Sequence, residues 1–445
     1  MLTMHVGIDD TDSPRKGCTT YVATLLVEKL SQLGVSFIDY PNLVRLNPNV
    51  PWKTRGNGAL CLRFRCDEKL ANEIMELTID TVEKNSDMDC AGTDPGVIFF
   101  QGSQVPEELT FFARQTIQGL VKLQEALKLI RAVKAEALGF NSGRGIIGAL
   151  AAVGETLSGD NTYELIAYRV PENYGTPRRV DAASVERMNQ KTAPLTFNNI
   201  DTEKRRVLIT PHGPDPILYG IRGENPAIVK RAHRMVRALE PIERWTIFRT
   251  NHGTDAHLRW VDSIDAVFPY QSVIVSGTVT REPQVIPRRH VVFSIVDKTG
   301  QIDCAAYEPT QDLRKAAQLL IVDDVVEAFG GVRPKSGKCP VTINLEKLNV
   351  VKLAPKVVFH NPVCPLCGKR MESMGAGQGF RCKHCGFRSS TLKKETVEEK
   401  RLLKTGLYVT SPRSQRHLTK PFSRYGLEKS GKPKRMMRNW FGVNG

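Results

Sequence analysis

MHVGIDDTDSPRKGCTTYVATLLVEKLSQLG, residues 4–34, decides how the chain begins to fold. Its first part alternates apolar and polar residues and halts at Asp9, Asp10 and Asp12, which predicts a short buried strand delivering carboxylates at its C-terminal end. Its second part repeats apolar residues at helical spacing from Thr19 and stops at Gly34, which predicts a helix. A strand passing to a helix through an acidic loop is the unit of an α/β layer. GALCLRFRC (58–66) extends that layer as a strand and EKLANEIMELTIDTVEKN (68–85) as a helix. Residues 107–138 read as one long helical stretch, or as two helices broken near Gly119.

Three acids at one strand end are costly unless a divalent cation neutralises them, and Mg2+ carrying phosphates is the natural guest. Thr19 and Thr20 stand where the helix opens, and there backbone N–H groups and the helix dipole favour phosphate. A hydroxyl in that place either accepts a phosphoryl group or caps the helix, and the spacing does not separate the two. TRGNGA (54–59) and AGTDPGV (91–97) have the glycines and polar groups to line the same cleft, or are plain turns.

After GFNSGRGIIGALAAVG (139–154) the texture changes. YELIAYR (163–169), RVLITPHGP (206–214) and ERWTIFRTN (243–251) read as strands, and PAIVKRAHRMVRALE (226–240) as a helix, so a small α+β sandwich is expected. GRGIIG matches the dinucleotide fingerprint as a string. Helical sequence and a polar loop precede it instead of a strand, so it reads as a close-packing turn or one that lets backbone approach a phosphate. No G-x-x-x-x-G-K-[ST] loop occurs. From about Gln271, five strand-sized segments surround one short helix, DLRKAAQLL (312–320), which fits an OB-type barrel.

The most specific motif is CPLCGKRMESMGAGQGFRCKHCG (364–386). Cys364 and Cys367 are two residues apart, as are Cys382 and Cys385, with fourteen between the pairs. Four thiolates on two knuckles close a tetrahedral zinc site with no open position, so the metal is structural. His360 and His384 are not needed as ligands. Cys18, Cys61, Cys66, Cys90, Cys304 and Cys339 are scattered and read as buried thiols in a reducing compartment.

The 445 residues predict about three domains. A composition of 41% hydrophobic and 25% charged residues, with no apolar run near membrane-spanning length and no signal-peptide pattern, predicts a cytoplasmic location. Net charge is +16, and residues 404–445 hold ten Lys or Arg against one Glu. Interleaved with Tyr425, Trp440 and Phe441, that segment reads as a nucleic-acid arm or a solvated tail.

The ordered set GIDDTDS, CTTY, GRGIIGALAAVG, TYELIAYR, PHGPDPILYGIRGENP and ERWTIFRTNHGTDAHL, then barrel and four-cysteine ribbon, closely resembles the archaeal tRNA-isoleucine 2-agmatinylcytidine synthetase (TiaS) family over residues 4–390. The resemblance implies a multidomain α/β and α+β fold. It would comprise a kinase-like ATP-binding domain (1–138), a ferredoxin-like domain (139–262), an OB fold (268–355), a zinc ribbon (356–392) and a basic C-terminal tail (393–445) with no clear match. It implies an ATP-dependent ligase that conjugates agmatine to the wobble cytidine of the CAU anticodon of isoleucine tRNA, forming agmatidine, which reads AUA. Thr19, directly after Cys18, matches the family's phosphorylated threonine. Asp9, Asp10 and Asp12 match its ATP and Mg2+ cluster, with Gly17 and Thr20 beside them at the nucleotide.

The chemistry agrees, because replacing the exocyclic oxygen of cytosine by an amine needs that oxygen made a good leaving group, and phosphorylation does so. The target base must leave its stack to react. The agmatine guanidinium wants a planar carboxylate, for which Asp94 and Asp255 are candidates. Two other readings stand beside this one: a metal-dependent RNA nuclease built on the clustered aspartates, and a non-catalytic tRNA-binding protein using the barrel, ribbon and tail.

Overall fold

In the computed structural model, which describes residues 1–337 and 339–444, Leu2–Asp9 is a strand buried on both faces. Met4, Val6 and Ile8 face helices α1 (Thr19–Gln32) and α2 (Ala71–Asn85). Gly7 faces the other way, toward a layer of α3 (Glu107–Gln118), α4 (Leu123–Ala132) and α5 (Gly145–Gly154). The strand pairs antiparallel with Gly58–Cys66 on one side and Gly96–Gln101 on the other.

The expected break near residue 139 does not separate two sheets. The strand order runs Glu136–Gly139, Gly96–Gln101, Leu2–Asp9, Gly58–Cys66, Asn42–Arg45, Ile242–Thr250, Thr162–Arg169, Ile217–Gly223, Thr196–Phe197, and with Ser36–Phe37 beside Gly58–Cys66 and Phe441–Val443 beside Ile242–Thr250 this makes one eleven-stranded sheet. The halves join through a parallel pairing of Arg249 with Asn42 and Thr250 with Leu43. Asn42–Arg45 would otherwise be an open edge, and the second half covers it. In that half, α6 (Ala182–Thr192) and α7 (Pro226–Met235) close one face of the sheet, and the other faces the cavity described below.

Residues 107–138 are two helices, as the Gly119 break suggests, but their last part is a strand, Glu136–Gly139. Lys134 at φ 55° turns the chain out of α4. A strand therefore does precede GRGIIG. It pairs antiparallel with Gly96–Gln101, so the parallel crossover of a dinucleotide fold is missing. The glycines serve close packing instead: a Cβ on Gly7 would lie 2.2 Å from the Ala149 carbonyl oxygen, and one on Gly96 2.2 Å from Gly145. Arg63, buried in the sheet, donates to the carbonyls of Ala152, Val153 and Glu155 and so satisfies the C-terminal end of α5.

Ser272–Ile286, His290–Val296, Gln301–Ala306, Thr342–Lys352 and Val325–Arg333 form a barrel that closes by pairing of the first strand with the last. Helix α8 (Asp312–Gln318) inserts Leu313, Ala316 and Ala317 into its core. Asn47 and Asn49 of the first half reach across to Tyr270 and Ser272, fixing barrel against sheet.

The segment expected to be a free basic tail is woven into the molecule. Glu395–Glu399 pairs with Lys356–His360 at the base of the ribbon, Gly406–Val409 adds to the barrel, and Phe441–Val443 adds to the main sheet. Arg413, Arg416, Lys420, Arg424 and Lys429 are all in ion pairs. Charge count alone hid this, because buried carboxylates elsewhere in the chain supply the partners. Of the six scattered cysteines, Cys18, Cys61, Cys66 and Cys304 are buried as expected, whereas Cys90 is half-buried and Cys339 is exposed on a turn.

Candidate active site and metal centre

The loop after Leu2–Asp9 is held in shape before any ligand arrives. Asp10 has φ 59° and Gly17 φ 84°, and a Cβ on Gly17 would lie 2.8 Å from the Thr11 carbonyl oxygen. Ser13 donates to Asp87 at 2.7 Å, and Arg15 pairs with the same carboxylate at 2.9 Å. Arg55 bridges the loop, donating to the Gly17 carbonyl at 2.7 Å and pairing with Asp12 at 2.8 Å.

This loop borders a cavity of about 620 Å3 lined by Asp9, Asp10, Asp12, Cys18, Thr19 and Thr20. The carboxyl of Asp9 lies against Gly148 of α5, where a Cβ would fall 1.8 Å from its Oδ2. Glycine at 148 is what leaves room for the acid. Burial, and then the neighbouring Asp10, hold Asp9 well above the usual carboxylate range. Burial pushes Asp10 up to about 6 against the pull of Arg144, and raises Asp12 against the pull of Arg55. Arg144 pairs with Asp10 at 3.3 Å and with Asp94 at 3.1 Å. Asp9 has no ion-pair partner among the described residues.

Thr19 is the first residue of α1, and the preceding cap position is held by Cys18, whose side chain makes no capping bond. The Thr19 hydroxyl accepts from Thr11 Oγ1 at 3.1 Å and faces the cavity, so the capping role left open by the sequence is not the one it plays. Thr20 Oγ1 lies 3.0 Å from Cys18 Sγ. The opposite wall carries Glu164 between Arg45 at 3.2 Å and Arg222 at 3.0 Å. Burial opposes its ionisation, yet Arg222, His252 and Arg45 hold its carboxyl well below the ordinary range. Burial lowers His252 to about 4, so this imidazole is neutral at neutral pH.

Residues 54–58 line the cavity as expected, whereas 91–97 support it from behind through Asp94 and Gly92. Neither candidate for the agmatine guanidinium faces the cavity. Asp94 is taken by Arg144 and the Ser142 N–H, and Asp255 by Lys347 and the Lys420 N–H. Sequence reasoning missed Glu164, Arg222, His252 and His417, which reach the cavity from strands and loops far apart in the chain. Only the alternation of TYELIAYR hinted that Glu164 points away from the core.

In the ribbon, the four sulfurs of Cys364, Cys367, Cys382 and Cys385 lie within 4.8 Å of one another, the only such cluster of possible ligands among the described residues. Cys364 and Cys385 are 3.5 Å apart and Cys367 and Cys382 3.4 Å, close to the ~3.8 Å edge of a tetrahedron with Zn–S of about 2.3 Å. Only Cys364, Met371, Phe380 and Cys382 form the buried core here, too little apolar surface to fold alone. Substituting any of the four cysteines by serine is expected to release zinc and melt residues 361–392 while the main sheet keeps its transition; full metal content by elemental analysis would refute the site.

A loop of acids and hydroxyls walled by arginines, on the same chain as a closed barrel and a four-cysteine ribbon, goes with a class of protein: an ATP-dependent enzyme acting on a nucleic acid. Family models are more particular, matching residues 5–142 as the TiaS TCKD domain, 143–257 as the TiaS FLD domain and 361–403 as the TiaS C-terminal zinc ribbon domain. The chain belongs to the TiaS family. It is 42% identical over 427 residues to the tRNA-isoleucine 2-agmatinylcytidine synthetase TiaS of Methanocaldococcus jannaschii, covering 95% of this chain and 98% of that one. With the Pyrococcus horikoshii protein of the same name it shares 43% over 420 residues, 94% and 97% of the two chains. Its structure superposes on that of a complex of TiaS with its isoleucine tRNA and ATP with a TM-score of 0.86 at 40% identity, covering 95% of this chain and 98% of the other.

Proposed function

We propose that this chain uses ATP to join agmatine to the wobble cytidine of an isoleucine tRNA with a CAU anticodon, forming agmatidine. The observation that carries this reading is the placing of the Thr19 hydroxyl in one cavity with Asp9, Asp10 and Asp12, at the open N-terminus of α1. Thr19 accepts a phosphoryl group from ATP, and the cytosine carbonyl oxygen, activated as a phosphate ester at the expense of ATP, leaves as inorganic phosphate when the agmatine amine attacks the ring carbon and gives up a proton. Residues 1–138 act as the kinase-like unit, 139–262 as the ferredoxin-like unit, and the closed barrel (268–355) as an OB fold gripping single-stranded RNA. The cytoplasm, where tRNA and ATP are found, is the location this activity requires.

The acidic cluster suits Mg2+. Its oxygens do not gather as tightly as the four thiolates, and Mg2+ commonly takes one or two carboxylates and completes its shell with water and phosphate oxygens. Asp9, half-buried and in no ion pair among the described residues, and Asp10 are the residues that would hold it. When bound, Mg2+ neutralises phosphate charge.

The raised carboxyls give a pH signature. A carboxyl whose folded pKa lies above its unfolded value stabilises the fold at low pH, and that contribution is lost as pH rises through the folded value, about 6 for Asp10. Mg2+ with ATP relieves the repulsion only where the acids are ionised. The melting temperature is therefore expected to rise more on adding Mg-ATP at about pH 7.5 than at about pH 5. Equal increments would place the metal elsewhere. The function itself is tested by mass spectrometry of an isoleucine tRNA transcript after incubation with ATP and agmatine. Cleaved RNA with unmodified cytidine would favour the nuclease.

A further inference from the structure

The cavity has one aromatic ring from a Trp, Phe or Tyr among its described lining residues, and it is half exposed. Trp52 is 50% accessible, on the loop between Asn42–Arg45 and Gly58–Cys66. A large indole left in solvent at a cavity mouth has little to do in folding, and its face is free. Beside it opens a second pocket of about 340 Å3, lined by Arg45, Lys53, Arg55, Arg416 and His417 with no carboxylate. Arg45 and Arg55 are already committed to Glu164 and Asp12. Lys53 is not: its ammonium reaches only the Arg55 carbonyl, at 3.4 Å. Burial and the charge of Arg416 lower its pKa, which places the two cations near each other.

Arg416 and His417 come from the segment after the ribbon, which the three family models do not cover. That segment is fixed against the site. The Gly253 N–H donates to the His417 carbonyl at 2.7 Å and Asn198 donates to Gln415 at 2.7 Å. The His417 ring sits where a Cβ on Gly56 would fall 2.5 Å from its Nε2, so loop and segment are fitted to each other. Burial, then Arg45, His252 and Arg222, holds His417 far below its ordinary pKa, so it adds no charge of its own.

We propose that the loop 48–57 and the C-terminal segment 412–418 form a clamp for one nucleotide of single-stranded RNA at the cavity mouth, with a base stacked on Trp52 and its phosphodiester held between Lys53 and Arg416. A π-face beside cationic side chains is what single-stranded nucleic acid recognition uses; Lys53 is in no ion pair among the described residues, and Arg416 keeps a half-exposed guanidinium beside its contacts with Glu346 and Asn49. The clamp would hold a nucleotide flanking the one that enters the cavity. It rests on the tRNA-modifying reading above, and the test keeps the two apart.

The same anion chemistry could come from an ATP phosphate, so both ligands are measured on the full-length zinc-loaded protein. Trp52→Ala is expected to cut kcat/KM for tRNA by roughly ten-fold or more, with Trp52→Phe restoring most of it. Lys53→Ala, which breaks no contact of the fold beyond one exposed hydrogen bond, is expected to lower the slope of log affinity against log salt by roughly 0.7. Arg416→Lys should keep that slope and Arg416→Gln should lose it. ATP binding measured without tRNA should be unchanged in all of these variants. A loss of ATP affinity in Lys53→Ala would assign the pocket to the nucleotide and overturn the clamp, as would tRNA kinetics untouched by Trp52→Ala. Wild-type protein that makes no agmatidine yet loses tRNA affinity in these variants would sink the enzymatic reading and leave the clamp standing.

Discussion

Thr19→Ala is expected to leave a protein that melts cooperatively, within a few degrees of the parent, and forms no agmatidine. The side chain does little for the fold. Cys18, not Thr19, occupies the cap position, and the threonine hydroxyl makes one hydrogen bond, from Thr11 at 3.1 Å. Losing a bond of that kind costs about 0.5–1.5 kcal/mol, and Thr11 can turn its hydroxyl toward the cavity. The loss of a phosphoryl acceptor is of another order, because no neighbour can stand in. Thr20 points at Cys18, and Thr20→Ala should retain labelling from γ-phosphate. The measurements are labelling by γ-labelled ATP, agmatidine yield and a melting curve on the same preparations. Modified tRNA formed at near the normal rate by Thr19→Ala would remove the phosphothreonine step from this chain.

How much of this was legible before the fold was known depends on the range of the interaction. The aspartate-ended strand, α1 and the four-cysteine ribbon are written in local pattern: alternation, helical spacing and paired knuckles. The barrel was legible for the same reason, since its five strands follow one another in the chain around one short helix. The joining of the two half-sheets was not, because it rests on two residue pairs, Asn42 with Arg249 and Leu43 with Thr250, about two hundred positions apart. Nor was the partnership of Gly148 with Asp9, a contact that needs α5 laid against the end of the first strand. The site's second wall is polar, and polar residues such as Glu164, Arg222 and His252 have no periodic signature that distinguishes a cavity wall from a solvated face. The C-terminal segment misled most. Its composition is that of a solvated arm, and only the fold shows that Asp160, Glu224 and Glu346 supply its counter-charges.

Deleting the chain from Lys404 is therefore expected to unfold the main sheet, not merely to weaken a grip on RNA. Arg424 has no exposed side-chain surface; it forks onto Asp160 at 3.0 Å and Glu224 at 2.5 Å and donates to the Gly253 carbonyl. Removing one partner of a buried ion pair costs about 3–5 kcal/mol, since the other charge stays buried and alone. Trp440 packs edge-on against Phe37 and Tyr40, and losing such a ring from a core costs about 3–5 kcal/mol again. Against a total stability of about 5–15 kcal/mol the two losses leave little or nothing. The truncated chain should show no cooperative melt by calorimetry, and Arg424→Ala alone should lower the melting temperature by several degrees; a truncated chain melting within a few degrees of the intact one would overturn this account. The segment's part in RNA binding can still be isolated. Lys432, Lys434, Arg435 and Arg438 are exposed and in no ion pair among the described residues. Neutralising these four should leave the melt unchanged and lower the salt slope of tRNA binding if the RNA passes over them. An unchanged slope would mean that the RNA does not pass over these four residues, leaving Arg416 as the segment's contact with it.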